Sequence, residues 1–157
     1  MEMEPIGTIH TPFTDPAGMP IQPTGAYGVK GTVEIVEKYR AGLKDLDGFS
    51  HILLIYYFHK SRGFKLHVVP FMDSEPRGVF ATRAPKRPNS IGLSIVQLDR
   101  IGNGVLHVRN VDILDGTPLL DIKPYVPDFD HQVDVRTGWL DHMAKMVADR
   151  KADDRFK

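Results

Sequence analysis

The sequence predicts a mostly β fold: a compact barrel or sandwich of short strands with a few short helices. Three observations carry this. Short extended runs rich in β-branched and aromatic residues recur along the 157 residues. Twelve prolines and 14 glycines punctuate those runs. Asn103-Gly104 separates two long runs of this kind, and both residues of such a hairpin turn must accept positive φ. Many short strands bounded by turns close or stack into one core.

In chain order, EPIGTI near the start reads as a strand. Residues 11–31 hold four prolines and four glycines and read as a long ordered or semi-ordered loop, and loops of this length are often functional. TVEIVEKY (32–39) alternates, placing Val33, Ile35 and Glu37 on one face. AGLKDLDGF (41–49) gives one or two helical turns stopped by Gly48. HILLIYYF (51–58) is apolar on both faces and reads as a central strand. FKLHVV (64–69) and GVFAT (78–82) are extended, and IGLSIVQLDRI and GVLHVRNVDIL flank the Asn-Gly turn. From Gly138 on, Trp139, Leu140, Met143, Met146 and Val147 repeat at helical spacing, predicting a helix over 138–150. The final KADDRFK is charged and frays. No internal repeat and no second domain is visible, so residues 1–157 read as one domain.

Composition removes several classes of function. Lys plus Arg and Asp plus Glu are both 20, so any phosphate binding is local rather than a property of the whole surface. The absence of cysteine excludes disulfides, zinc-thiolate sites and thiol nucleophiles, and it fits a cytoplasmic protein. The N-terminus is acidic, without the apolar run of a signal peptide. ILLIYYF (52–58) is too short to span a bilayer, so no membrane partner is expected. There is no GxxxxGK[ST], GxSxG or HExxH. IGNGVLH (101–107) approaches GxGxxG but lacks the last glycine, and the hairpin explains it. His51 and His59 on one unbroken strand would be roughly 27 Å apart, at about 3.4 Å per residue, and cannot share an ion. No metal is expected.

Two stretches carry chemistry. In GVFATRAPKRPNSIGLS (78–94), Pro85 and Pro88 fix their own φ and push Ala84 and Arg87 towards extended backbone. The loop is thus ordered before anything binds, and Arg83, Lys86 and Arg87 project from it. No acidic residue occurs between Arg77 and Leu98. Guanidinium groups suit phosphate or carboxylate; the competing reading is a solvated turn whose charges keep an edge soluble. In LDGTPLLDIKPY (114–125), a strand over 121–125 puts Asp121, Lys123 and Tyr125 on one face, about 7 Å apart per step. The competing reading there is an ion pair with a Tyr packed beside it.

These two stretches together, with PIQPTG, SHILLIYYFHK and IGTIHTPF, resemble the TsaA-like, TrmO-type tRNA methyltransferases over about residues 4–130. The resemblance implies a single-sheeted β-barrel, a homodimer, and S-adenosylmethionine as methyl donor. The implied acceptor is the exocyclic nitrogen of threonylcarbamoyl-adenosine beside the tRNA anticodon; the competing readings are a methyltransferase of the same fold with another acceptor and a noncatalytic RNA-binding barrel. Carried over by motif, the cofactor contacts are Pro20, Ile21 and Gln22; Phe58, His59 and Lys60; Arg83 and Leu93; and Leu114, Asp115, Gly116, Thr117 and Pro118. Asn89, Asp121, Lys123 and Tyr125 fall on the substrate side as catalytic candidates. Arg77, Lys86 and Arg87 are the candidates for RNA phosphates, with Tyr125 and Phe129 available to stack on bases. Two departures stand out. Ser90 replaces the family's usual Pro after the Asn of RPN, which removes one constraint from the loop. The chain also ends in a helix instead of the extra C-terminal domain of some bacterial members. That helix either dimerises through Trp139 and the Met residues or covers the barrel.

Overall fold

Alternation with period two sorts the residues of each strand between an inside and an outside. Along β3 (His51–Tyr57), Ile52, Leu54 and Tyr56 are buried while Leu53, Ile55 and Tyr57 face outward. Along β6 (Ile91–Gly102), Gly92, Ser94, Val96 and Leu98 take the inner phase. The same pattern holds in β1 (Gly7–His10), β2 (Lys30–Ile35) and β7 (Val105–Arg109). A sheet with one apolar face must cover it, and this one does so by closing on itself. The computed structural model describes residues 1–20, 23–71 and 73–141. Together with β8 (Thr117–Pro124), these strands form a closed antiparallel barrel in the order β1-β2-β7-β6-β3-β8. Ile9, Val33, Ile35, Ile52, Leu54, Val96, Leu106 and Leu119 fill it, each contributing about 1.5–3 kcal/mol by burial.

The central-strand reading of 51–58 holds, since β3 lies between β6 and β8. The Asn-Gly hairpin also holds: Asn103 and Gly104 have φ of 53° and 73° and join β6 to β7. Asp121 and Lys123 share a face of β8, paired with Ile55 and Leu53 of β3.

Other readings are corrected. β2 ends at Ile35, so Glu37 begins a 3-10 helix, Glu37–Leu43, rather than continuing the strand. The helical turns expected over 41–49 are therefore 3-10 and start earlier. They break at Asp45, whose φ of 67° interrupts the run before a second 3-10 turn, Leu46–Gly48. The strands expected at 64–69 and 78–82 shrink to a two-residue pair, β4 (His67–Val68) and β5 (Arg77–Gly78). Val79–Ala81 is a 3-10 turn. Among the described residues no third strand lies beside them, and the pairing is continued only by the Val79 N–H, which donates to the Leu66 carbonyl at 2.9 Å. After Gly138 a 3-10 turn, Gly138–Leu140, is described; the rest of the helix expected over 138–150 lies outside the described residues. Trp139 packs on its own chain. Its indole Nε1 donates to the Ala81 carbonyl at 2.9 Å, and Arg77 stacks over its ring at 5.6 Å.

One glycine is required by packing. A Cβ on Gly92 would overlap the Tyr56 ring, and it would also come within 2.8 Å of Phe58. Gly92→Ala is therefore expected to lower unfolding free energy by about 1–3 kcal/mol, the usual cost of overpacking. Urea denaturation of the two proteins measures it, and equal midpoints would mean that the Tyr56 ring moves freely.

Candidate functional site

Because neighbouring strands are antiparallel, the C-terminal ends of β1, β3 and β7 meet the N-terminal ends of β2, β6 and β8 at one rim. The two long motifs start or finish there. β3 leaves the barrel as Phe58, His59 and Lys60. β6 enters it from the Arg83–Ser90 loop. β8 enters it from Leu114–Gly116.

The basic loop is held rigidly. It rests on a small core of Val68, Val79 and Ala84. Ser61 Oγ donates to the Pro85 carbonyl at 3.2 Å. Arg87 does not project as expected: its Nη1 turns inward and donates to the carbonyls of Thr82 at 3.0 Å and Ala84 at 3.2 Å. Nor does Ser90 loosen the loop. Its hydroxyl donates to the Arg87 carbonyl at 3.3 Å, and its own carbonyl accepts the Phe58 N–H at 2.8 Å. A side-chain hydrogen bond thus supplies the constraint that a proline ring would have given. The guanidinium of Arg77 is committed to Asp73, at 2.6 and 2.7 Å, and to Trp139. Arg83 is exposed and forms no ion pair among the described residues.

Under this loop opens a cavity of about 450 Å³, within the range of small-molecule sites. Tyr56, Phe58, Ile91, Gly92 and Leu93 give it an apolar side. Thr82, Arg83, Arg87, Asn89 and Asp112 give it a polar one. Asp112 ends a buried polar thread that the sequence reading missed. The Tyr56 hydroxyl meets Ser94 Oγ at 3.0 Å, and Ser94 Oγ donates to Asp112 Oδ1 at 2.7 Å. Burial pushes the Asp112 carboxyl up to about 6, opposed by the Ser94 hydrogen bond and the Arg83 charge. The same burial raises the Tyr56 phenol, which stays neutral. Since the folded pKa lies above the unfolded one, this carboxyl favours the fold at pH below about 4 and loses that contribution as pH rises through about 6. The difference is roughly 3 kcal/mol. A signal for the thread was present in the sequence. Ser94 is a polar residue on the inward phase of an otherwise apolar strand, and buried polar groups need partners.

Beside the cavity, His59 faces Thr117, with Nδ1 at 3.4 Å from Oγ1. Burial and then the charges of Lys60 and Arg62 hold its pKa below the ordinary value, so the ring is neutral at neutral pH. Thr117 Oγ1 donates to the Leu114 carbonyl at 2.6 Å. Asp115 Oδ1 accepts the Thr11 N–H at 3.1 Å and lies 3.4 Å from His10 Nδ1. Gly116 has φ of 76°, the turn conformation that glycine permits. Phe58, His59, Lys60, Arg83, Asn89, Leu93 and the Leu114–Pro118 turn thus gather at one rim. Pro20 is half-buried in the long loop that follows β1; Ile21 and Gln22 lie outside the described residues.

Asp121, Lys123 and Tyr125 are not gathered there. Asp121 and Lys123 lie on the outer wall of β8, separated from β6 by β3, and Tyr125 follows the strand's end. Asp121 and Lys123 form an exposed ion pair at 2.9 Å, and Tyr125 meets His51 edge-on at 6.4 Å. Asp121 also lines a separate groove with Tyr39 and Phe49 at the far end of the barrel. Asp121 and Asn89 thus line two different cavities among the described residues.

The chain is similar to several known sequences. Its residues 8–131 match the tRNA-methyltransferase O N-terminal domain. A probable S-adenosyl-L-methionine-binding protein of Pyrococcus abyssi is 54% identical over 153 residues, covering 97% of this chain and 83% of the relative. The tRNA (adenine(37)-N6)-methyltransferase of Mus musculus is 37% identical over 134 residues, 81% of this chain but 31% of that protein. The crystal structure of TrmO from Pseudomonas aeruginosa superposes with a TM-score of 0.75 at 38% identity, over 88% of this chain and 62% of that one. The chain thus spans less than two thirds of the solved TrmO chain and about a third of the mouse protein. With the barrel, the rim motifs and these similarities in hand, the chain belongs to the family of the tRNA-methyltransferase O N-terminal domain.

Proposed function

We propose that this protein is an S-adenosylmethionine-dependent tRNA methyltransferase that methylates the exocyclic N6 of threonylcarbamoyl-adenosine beside the anticodon. The observation that carries the reading is the convergence of Phe58, His59, Arg83, Leu93 and Leu114–Pro118 on one rim beside the cavity. The residues fit the donor's chemistry. Arg83 offers a fork to a carboxylate. The apolar side offers a surface to a purine, and the backbone carbonyls of 114–115 and the Asp115 carboxylate offer acceptors to an ammonium or ribose hydroxyl. When bound, the cofactor supplies an activated methyl group, so the protein needs no nucleophile of its own. What remains for the chain is to orient the acceptor nitrogen, exclude water and hold the proton that leaves.

Lys86 at the loop edge, and Arg87 through the guanidinium nitrogens other than the inward Nη1, are proposed to meet anticodon-loop phosphates, and Tyr125 and Phe129 to stack on unpaired bases. Arg77 could join only by giving up its Asp73 partner. We place this activity in the cytoplasm; among the described residues no helix is long and apolar enough to cross a membrane. A homodimer is part of the proposal. The outer face of β3 and β6 leaves Tyr57, Ile91, Leu93 and Ile95 exposed by 41%, 36%, 44% and 38%. Exposed apolar rows of this kind mark contact surfaces. Asp121, Lys123 and Tyr125 flank the same face, so a dimer built on it carries them to the interface.

Labelled cofactor incubated with an anticodon stem-loop bearing the threonylcarbamoyl group should yield labelled N6-methyl nucleoside by mass spectrometry. Arg83→Ala should weaken cofactor binding by calorimetry about 10–100-fold, the loss expected for a hydrogen bond to a charged group. Full affinity in that variant would remove Arg83 from the site. With two phosphates neutralised, stem-loop affinity should fall ~7-fold between 50 and 200 mM salt; a flat response would exclude the loop from phosphate contact. Ile95→Asp should sediment as a monomer where the native protein sediments as a dimer.

A further inference from the structure

We propose that Asp112 is the proton acceptor for the methylated nitrogen, and that Ser94 and Tyr56 position it. The inference rests on the methyltransferase reading and adds the residue that completes its chemistry. Among the described residues, Asp112 is the sole carboxylate lining the rim cavity, which it shares with Arg83, Asn89 and Leu93. The alternatives are poorly placed or lack the chemistry. Asp121 is paired with Lys123 on the outer wall. Asn89 lines the cavity, but an amide takes no proton at neutral pH.

The polar thread has a direction. Ser94 donates to the carboxylate, so its hydroxyl oxygen is left to accept from Tyr56, and both hydroxyls donate towards Asp112. The thread fixes one carboxylate oxygen from inside the barrel while the residue stays partly open on the cavity side. Among the described residues, the charged and titratable groups facing it are Tyr56 from β3 and Arg83 and Arg87 from the loop. None is a second acid that could take the proton in its place. A carboxyl raised to about 6 is ionised at neutral pH, yet it is more basic than an ordinary aspartate.

The step balances. The lone pair of the adenine N6 forms the bond to the methyl carbon, and the carbon–sulfur pair stays on sulfur, leaving a neutral thioether. The N6 proton passes to the Asp112 carboxylate, which then returns it to solvent.

The test uses the full chain, S-adenosylmethionine, and a stem-loop bearing the threonylcarbamoyl group. Single-turnover methylation by the native protein should rise with pH to a plateau, with a midpoint near 6. Asp112→Asn should bind the cofactor within ~3-fold of native by calorimetry, lose at least ~100-fold in rate, and lose that midpoint. Its unfolding free energy should gain on the native protein as pH rises from about 4 to about 6, because the amide does not titrate. Ser94→Ala keeps the carboxyl but removes the hydrogen bond that lowers its pKa, so its rate midpoint should move to higher pH. An Asp112→Asn rate within ~3-fold of native, loss of cofactor binding in that variant, or an unmoved midpoint in Ser94→Ala would each overturn the proposal. A native protein that neither binds the cofactor nor methylates the stem-loop would instead remove the underlying methyltransferase reading.

Discussion

Closure of the sheet is the constraint on which everything else depends. β1 is only four residues long, yet it hydrogen-bonds to β2 on one side and β8 on the other, with Gly7 opposite both Ile35 and Leu119. A side chain at Gly7 would run into the backbone of Glu34. The closed ladder leaves the barrel no free edge. It also brings six strand ends to a single rim, and segments far apart in sequence become neighbours there. Thr11 Oγ1 donates to the Ile113 carbonyl across 102 residues, and the Thr11 amide reaches Asp115 across 104.

The rim combines stiffness with an unfavourable buried charge. The Arg83–Ser90 loop is braced by backbone-directed bonds from Arg87, Ser61 and Ser90, so the entropy of ordering it falls on folding rather than on binding. Asp112 works against stability at neutral pH. Strain and misplaced charge of this kind concentrate where chemistry is done. The outer wall of the same strands has a different character: the apolar residues of β3 and β6 lie beside the Asp121–Lys123 pair. An exposed pair of that sort contributes under about 1 kcal/mol to the monomer.

The fold class, the β3 centre, the Asn-Gly hairpin and the shared face of Asp121 and Lys123 were legible because each depends on local periodicity or turn chemistry. The short β4 and β5 and the 3-10 turns were not. Their sequences have strand composition, but whether a segment becomes a strand depends on a neighbour to pair with. At the site, Arg83, Asn89 and Leu93 could be named from their motif. Asp112 could not, because an Asp in VDIL is unremarkable until its depth and its Ser94 partner are known.

What the sequence by itself determined was which residues alternate, where the chain must turn, and which short motifs tie it to a family. Tertiary structure decided direction. A β-bulge where β8 passes Ile55 and Tyr56 of β3 shifts the register by one residue. Asp121 and Lys123 are therefore turned outward, although Thr117 and Leu119 before them point in. Period-two alternation tells which residues share a face, but one extra residue on one strand exchanges the two faces. Pairing between strands some 65 residues apart sets that extra residue, and no local pattern encodes it.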